Sequence, residues 1–128
     1  MGLFSYEGKN LQECIGMLRD SYKAKRLNLE VMMWGVESLR DSPQDMNAYF
    51  DALTGITQDA IQKDIAKGAR SMVVEKVNSG MPIEDVAKEL AYGHLRRLIN
   101  HYNTKEIHQK WNTALPELKT AGGFATFI

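Results

Sequence analysis

From Leu11 to Tyr102 the apolar residues recur at steps of three and four. That is the period of helices buried along one face, not of strands. Leu11, Ile15, Leu18, Tyr22, Leu29, Met33 and Val36 carry it through residues 9–40. The segment reads as one long rod or as two pieces broken near Lys25 and Arg26. Asp41-Ser42-Pro43 ends it. Ser42 suits an N-cap, and Pro43 a first helical position that has no N–H to satisfy. Met46, Tyr49, Phe50 and Leu53 then mark a short helix stopped at Gly55. Thr57 is expected to cap a third element that carries Ile61, Ile65, Met72, Val73 and Val77. Gly68 lies inside that element at a cost of about 1 kcal/mol relative to alanine. Asn78-Ser79-Gly80 closes it.

Pro82 opens the next helix, with Ile83, Val86, Leu90, Leu95, Leu98, Ile99 and Tyr102 apolar. Asn103-Thr104 separates it from a last helix near 105–119, which carries Ile107, Trp111, Leu115 and Leu118 and is bent or cut short by Pro116. The ends, 1–8 and 120–128, read as short extended segments, the second beyond a Gly122-Gly123 hinge. The pattern predicts an all-α fold: a single domain over 1–128, a compact bundle of five to six helices with short non-helical N- and C-terminal segments. A chain of 128 residues buries enough surface to fold without a partner.

The composition fits such a domain, 44% apolar and 25% charged. Sixteen basic residues balance sixteen acidic ones. Bulk charge therefore gives no sign of a polyanionic partner. Cys14 is the sole cysteine, which excludes an intramolecular disulfide and suits a reducing compartment. No apolar run is long enough to span a bilayer, and no basic stretch leads into an apolar signal segment. The expected location is the cytoplasm, away from membranes.

Chemistry is poorly supported. His94, His101 and His108 are spaced by seven, so neighbours stand about 10 Å apart along a helix, too far to share one metal ion. No His-x-x-x-His, Glu-x-x-His or paired cysteine motif occurs. Neither a nucleophile elbow, a Walker loop nor a dinucleotide fingerprint is present. Adjacent Glu84 and Asp85 complement the dipole of the helix that Pro82 opens. The expectation is a protein without catalytic residues, metal or cofactor, and no small-molecule substrate is inferred.

Binding is better supported. Val31-Met32-Met33-Trp34-Gly35-Val36 is apolar all round, as in a helix that is wholly buried or that offers one side to a partner. Met32, Met33 and Trp34, with Phe124, Phe127 and Ile128 of the tail, are the candidate partner-binding residues. Both features suit a protein partner or a homodimer. The leading reading is a small helical regulator, inhibitor or adaptor that works through protein–protein contacts.

The alternative is a nucleic-acid-binding regulator. Arg19, Lys23 and Arg26 form one basic stripe at helical spacing, and Lys63, Lys67 and Arg70 a second. His94, Arg96 and Arg97 cluster on the helix that Pro82 opens. Residues 80–102 resemble a degenerate helix-turn-helix, with Ala87 as the small residue and a glycine turn before Arg96 and Arg97. The bland reading of each stripe is a solvated face held by i,i+4 pairs such as Asp59–Lys63 and Arg26–Glu30.

Overall fold

The computed structural model describes residues 9–24, 29–68 and 71–102, with Lys105 and Gln109; at Ile99, His101 and Tyr102 it describes the backbone alone. The described residues form five helices: α1 (Leu11–Lys23), α2 (Leu29–Leu39), α3 (Pro43–Ala66), α4 (Ser71–Asn78) and α5 (Ile83–Tyr102). The all-α bundle expected from the apolar period is the fold. The extended ends, the helix near 105–119 and the tail residues Phe124, Phe127 and Ile128 lie outside the described residues.

Local chemistry sets the helix ends. Asn10 closes a capping box on α1: its side chain accepts from the Glu13 N–H at 2.9 Å, and its own N–H donates to Glu13 Oε1 at 3.1 Å. α1 stops at Lys23, where the Ala24 N–H donates to the Asp20 carbonyl. Residues 9–40 therefore hold two helices rather than one rod. Ser42 caps α3, its hydroxyl accepting from the Asp45 N–H at 3.3 Å, and Pro43 is the first helical residue, as the sequence predicts.

The middle of the chain departs from expectation. Gly55 does not stop a helix, and α3 runs through it for 24 residues. Thr57 is not a cap. Its hydroxyl donates back to the Leu53 carbonyl at 2.8 Å, as Thr54 does to Phe50 at 2.9 Å. Both hydroxyls are thereby satisfied inside the core. Burial of Phe50, Leu53, Ile56 and Ile61 outweighs the glycine cost, since each such side chain is worth about 1.5–3 kcal/mol. Gly68, expected inside a helix, ends α3 instead. It holds φ +71°, and its N–H donates to the Ile65 carbonyl. Gly80 closes α4 at φ +105°, with Gly80 donating to Val77 and Met81 to Lys76, the paired bonds of a Schellman turn.

No helix-turn-helix forms at 80–102. α5 is continuous through Gly93, with Ala87, Ala91, Leu95 and Leu98 all buried on one face. The small Ala87 and Ala91 serve helix packing within the bundle.

Two apolar clusters hold the helices. The larger joins Cys14 and Leu18 of α1, Met32, Met33 and Val36 of α2, Met46 to Ile56 of α3 and Ala91 to Leu98 of α5. The smaller joins Ile61, Val73, Val86 and Ala87. The start of α3 thus meets the end of α5, and its end meets the start of α5, so the two run antiparallel. α1 runs with α3: Cys14 lies beside Tyr49, and Tyr22 reaches Asp59. α2 runs against both, with Ser38 at its end bonded to Cys14 near the start of α1. One close approach fixes α2 on α3. The Tyr49 ring lies across Gly35, where a Cβ would stand 2.6 Å from Cε1 and overlap the ring, and the Tyr49 hydroxyl donates to the Val31 carbonyl at 3.4 Å.

Candidate functional site

Met32, Met33 and Trp34 do not form a surface. They are 1%, 5% and 3% exposed. α2 is apolar all round because it is enclosed, and the partner-binding reading of these three residues is corrected accordingly. The Lys9 ammonium lies 4.9 Å above the Trp34 ring, a cation–π contact.

The basic stripes fare differently. On α1, Arg19 and Lys23 are exposed on either side of Tyr22 in the sequence. The Tyr22 hydroxyl donates to Asp59 Oδ2 of α3 at 2.5 Å, and the Lys63 ammonium sits 3.4 Å from the same oxygen and 5.4 Å from the centre of the Tyr22 ring. One aromatic, one acid and one cation thus bolt α1 to α3. The expected Asp59–Lys63 pair is present, as half of a bridge between helices. Tyr22 and Lys63 hold the Asp59 carboxyl below its ordinary pKa, the tyrosine bond being the larger cause. The same tyrosine and the Asp59 carboxylate hold the Lys63 ammonium above its own. Lys67 lies one turn beyond Lys63 and is exposed. The Arg19–Lys23 and Lys63–Lys67 stripes therefore stand side by side, at the end of the bundle where α1 and α3 terminate. Arg26 and Arg70 lie outside the described residues.

The third stripe is elsewhere. Arg97 is exposed, and its guanidinium meets His94 Nδ1 at 3.2 Å. Arginine only donates, so that nitrogen accepts. Arg96 is half-buried, with an Nε that meets no hydrogen-bond partner among the described residues. The antiparallel α3–α5 packing puts this cluster beside the first half of α3, roughly 20 Å along the axis from Lys63. The three stripes do not make one surface.

Other polar groups are structural. Lys76 of α4 pairs with the buried Glu89 of α5 at 3.5 Å; Lys88 pairs with Glu84, and Arg40 with Glu37, within single helix turns. Burial pushes the Cys14 thiol above its ordinary pKa, against the Ser38 hydrogen bond. Tyr49 is pushed up by burial too. Among the described residues, no group of three or more His, Cys, Asp or Glu is placed to hold a metal ion, and no helix is long and apolar enough to cross a membrane.

The sequence supplied the basic residues of the α1–α3 face but not Tyr22 as its organiser. Its periodicity marked Tyr22 as core, and its bond to Asp59 spans 37 positions. No family model, curated protein or solved structure matches the chain.

Proposed function

We propose that this chain is a small non-catalytic binding protein, a regulator, inhibitor or adaptor, that acts by occupying another macromolecule through the α1–α3 face. The observation that carries the reading is the Tyr22–Asp59–Lys63 bridge. It joins the two helices that carry exposed basic stripes from distant parts of the sequence. Charged, solvent-facing side chains carried on packed helices suit recognition, because the helices set the positions from which they reach a partner. The partner class expected from the sequence is protein. The surface differs from the apolar one expected, because Met32, Met33 and Trp34 are enclosed.

The test is comparative purification of the full chain and of its Arg19→Gln/Lys23→Gln variant from the same cells. A macromolecule that co-purifies with the wild type and is lost from the variant, at unchanged melting temperature, supports the reading. Equal recovery on both, or recovery on neither, overturns it.

A further inference from the structure

One buried charge is half satisfied. Glu89 of α5 is 7% exposed, and among the described residues it is the one buried charged side chain. Its Oε1 meets the Lys76 ammonium of α4 at 3.5 Å, longer than the about 2.7–2.9 Å of a close charged hydrogen bond. Its Oε2 is shut off from solvent and meets no hydrogen-bond partner among the described residues. A carboxylate taken out of water is costly unless its oxygens are engaged. The Lys76 pair is structural and accounts for the first oxygen. It leaves the second unexplained. We propose that the seam between α3 and α5 beneath α4 is a binding site for an arginine-bearing amphipathic helix of a partner protein, and that α4 is the strap that covers it. The site is separate from the α1–α3 face and does not depend on it.

The cover is slight. α4 has eight residues, too few for a helix that is stable by itself, and it buries Val73 alone. Gly68 and Gly80 bound its segment at φ +71° and +105°, both exposed, with nothing within 4 Å of a Cβ built on either. Both ends of the strap therefore turn in solvent. Beneath it, Ile61 of α3 and Val86 and Ala87 of α5 are buried, with Ile65 and Leu90 packed beside them. Glu89 lies one turn along α5 from Val86.

α4 shows what the seam accepts. Val73 and Val77, at i and i+4, pack on the apolar cluster, and Lys76, at i+3, reaches the carboxylate from the same side. A lysine brings a single point of charge. The guanidinium of arginine is a planar fork that meets both oxygens of a carboxylate. A helix with apolar residues at i and i+4 and arginine at i+3 thus matches the seam better than α4 does. The same carboxylate repels an acidic segment. Because α4 is tethered, it competes at an effective concentration on the order of millimolar, so a partner helix displaces it only by virtue of the better pairing.

The experiment is fluorescence anisotropy on the full chain with two labelled peptides. Both have the sequence of residues 71–81, one with Lys76→Arg and the other with Lys76→Gln. The full chain is used as wild type and as Lys76→Glu, which sets a like charge against Glu89 and releases the strap. The arginine peptide is expected to bind Lys76→Glu at least about tenfold more tightly than the wild type, because the tethered competitor is weakened. On Lys76→Glu the glutamine peptide is expected to bind about 30-fold or more weakly than the arginine peptide, the loss expected when a buried charge loses its partner. Arg19→Gln/Lys23→Gln leaves peptide binding unchanged, which separates this site from the α1–α3 face. Thermal melting checks that each variant folds. If Lys76→Glu does not melt cooperatively, the two peptides are compared on the wild type at about millimolar concentration, where the arginine peptide must still bind the more tightly.

No binding of the arginine peptide to either protein overturns the proposal. Equal binding of the two peptides also overturns it, since that is apolar adhesion without recognition by Glu89. A Lys76→Glu protein that dimerises, as read by sedimentation, would mean that the seam takes a second copy of this chain, and would overturn the assignment to a partner helix.

Discussion

Two glycines in helices have opposite meanings. Gly35 is where the Tyr49 ring crosses α2, and any Cβ there overlaps the ring. Gly35→Ala is expected to destabilise the fold by about 1–3 kcal/mol, the usual cost of overpacking, as read by denaturant unfolding. Gly55 is exposed in the interior of α3 with nothing within 4 Å of a built Cβ. Gly55→Ala is expected to stabilise by up to about 1 kcal/mol in the same measurement, since only the helix propensity changes. The sequence alone does not separate the two. Each is a lone glycine within a helical apolar pattern, and the partner that decides the sign is a ring 14 positions away in one case and solvent in the other. Cys14 is a third single-residue test. Burial raises its pKa and hides its sulfur. A thiol reagent at neutral pH is therefore expected to label the native protein far more slowly than the denaturant-unfolded chain. Equal rates would show that Cys14 is open to solvent.

At the level of elements, the punctuation that residues carry in themselves was legible. Ser42-Pro43 opens α3 and Ser79-Gly80 closes α4, because capping and left-handed turns depend on local bonds. Gly68 and Gly55 exchange the roles that the sequence predicts for them. Either could end a helix, and the choice depends on whether the next turn has a surface to bury. Ile56, Thr57 and Ile61 have one, so α3 continues past Gly55 and stops at Gly68. A substitution follows from the geometry. Gly80→Ala places a Cβ at φ +105° and is expected to cost roughly 1 kcal/mol or more, read as a lowered melting temperature. The face of α2 was undecidable for the same reason. Val31–Val36 is apolar all round, and periodicity cannot say which side a neighbour covers.

For the molecule as a whole, the Tyr22–Asp59–Lys63 bridge is the feature with a pH signature. The Asp59 carboxyl titrates lower in the folded state than in the unfolded one. Its contribution is therefore present above the ordinary carboxylate range and is lost as pH falls through the lowered value. Lys63 is raised, so its share is present below the ordinary lysine value and lost as pH rises through the raised one. Tyr22→Phe is expected to be less stable than the wild type at neutral pH, with the difference shrinking in acid. A difference that stayed constant down to about pH 2 would mean that the hydroxyl acts independently of the Asp59 charge. None of this long-range pairing was legible, because residues 37 positions apart in sequence meet only through the fold.

The division of the core has a consequence for motion. α4 is held by the small cluster around Val73 and by Lys76–Glu89, whereas the second half of α5 is anchored in the large one. The chain should therefore open from one end. In amide hydrogen exchange, protons of α4 are expected to leave through a local opening of low free energy, and those around Leu95 only when the entire domain unfolds. That loosely held end is also the end where α1 and α3 stop. A partner seated there would slow exchange first in the helix it need not touch.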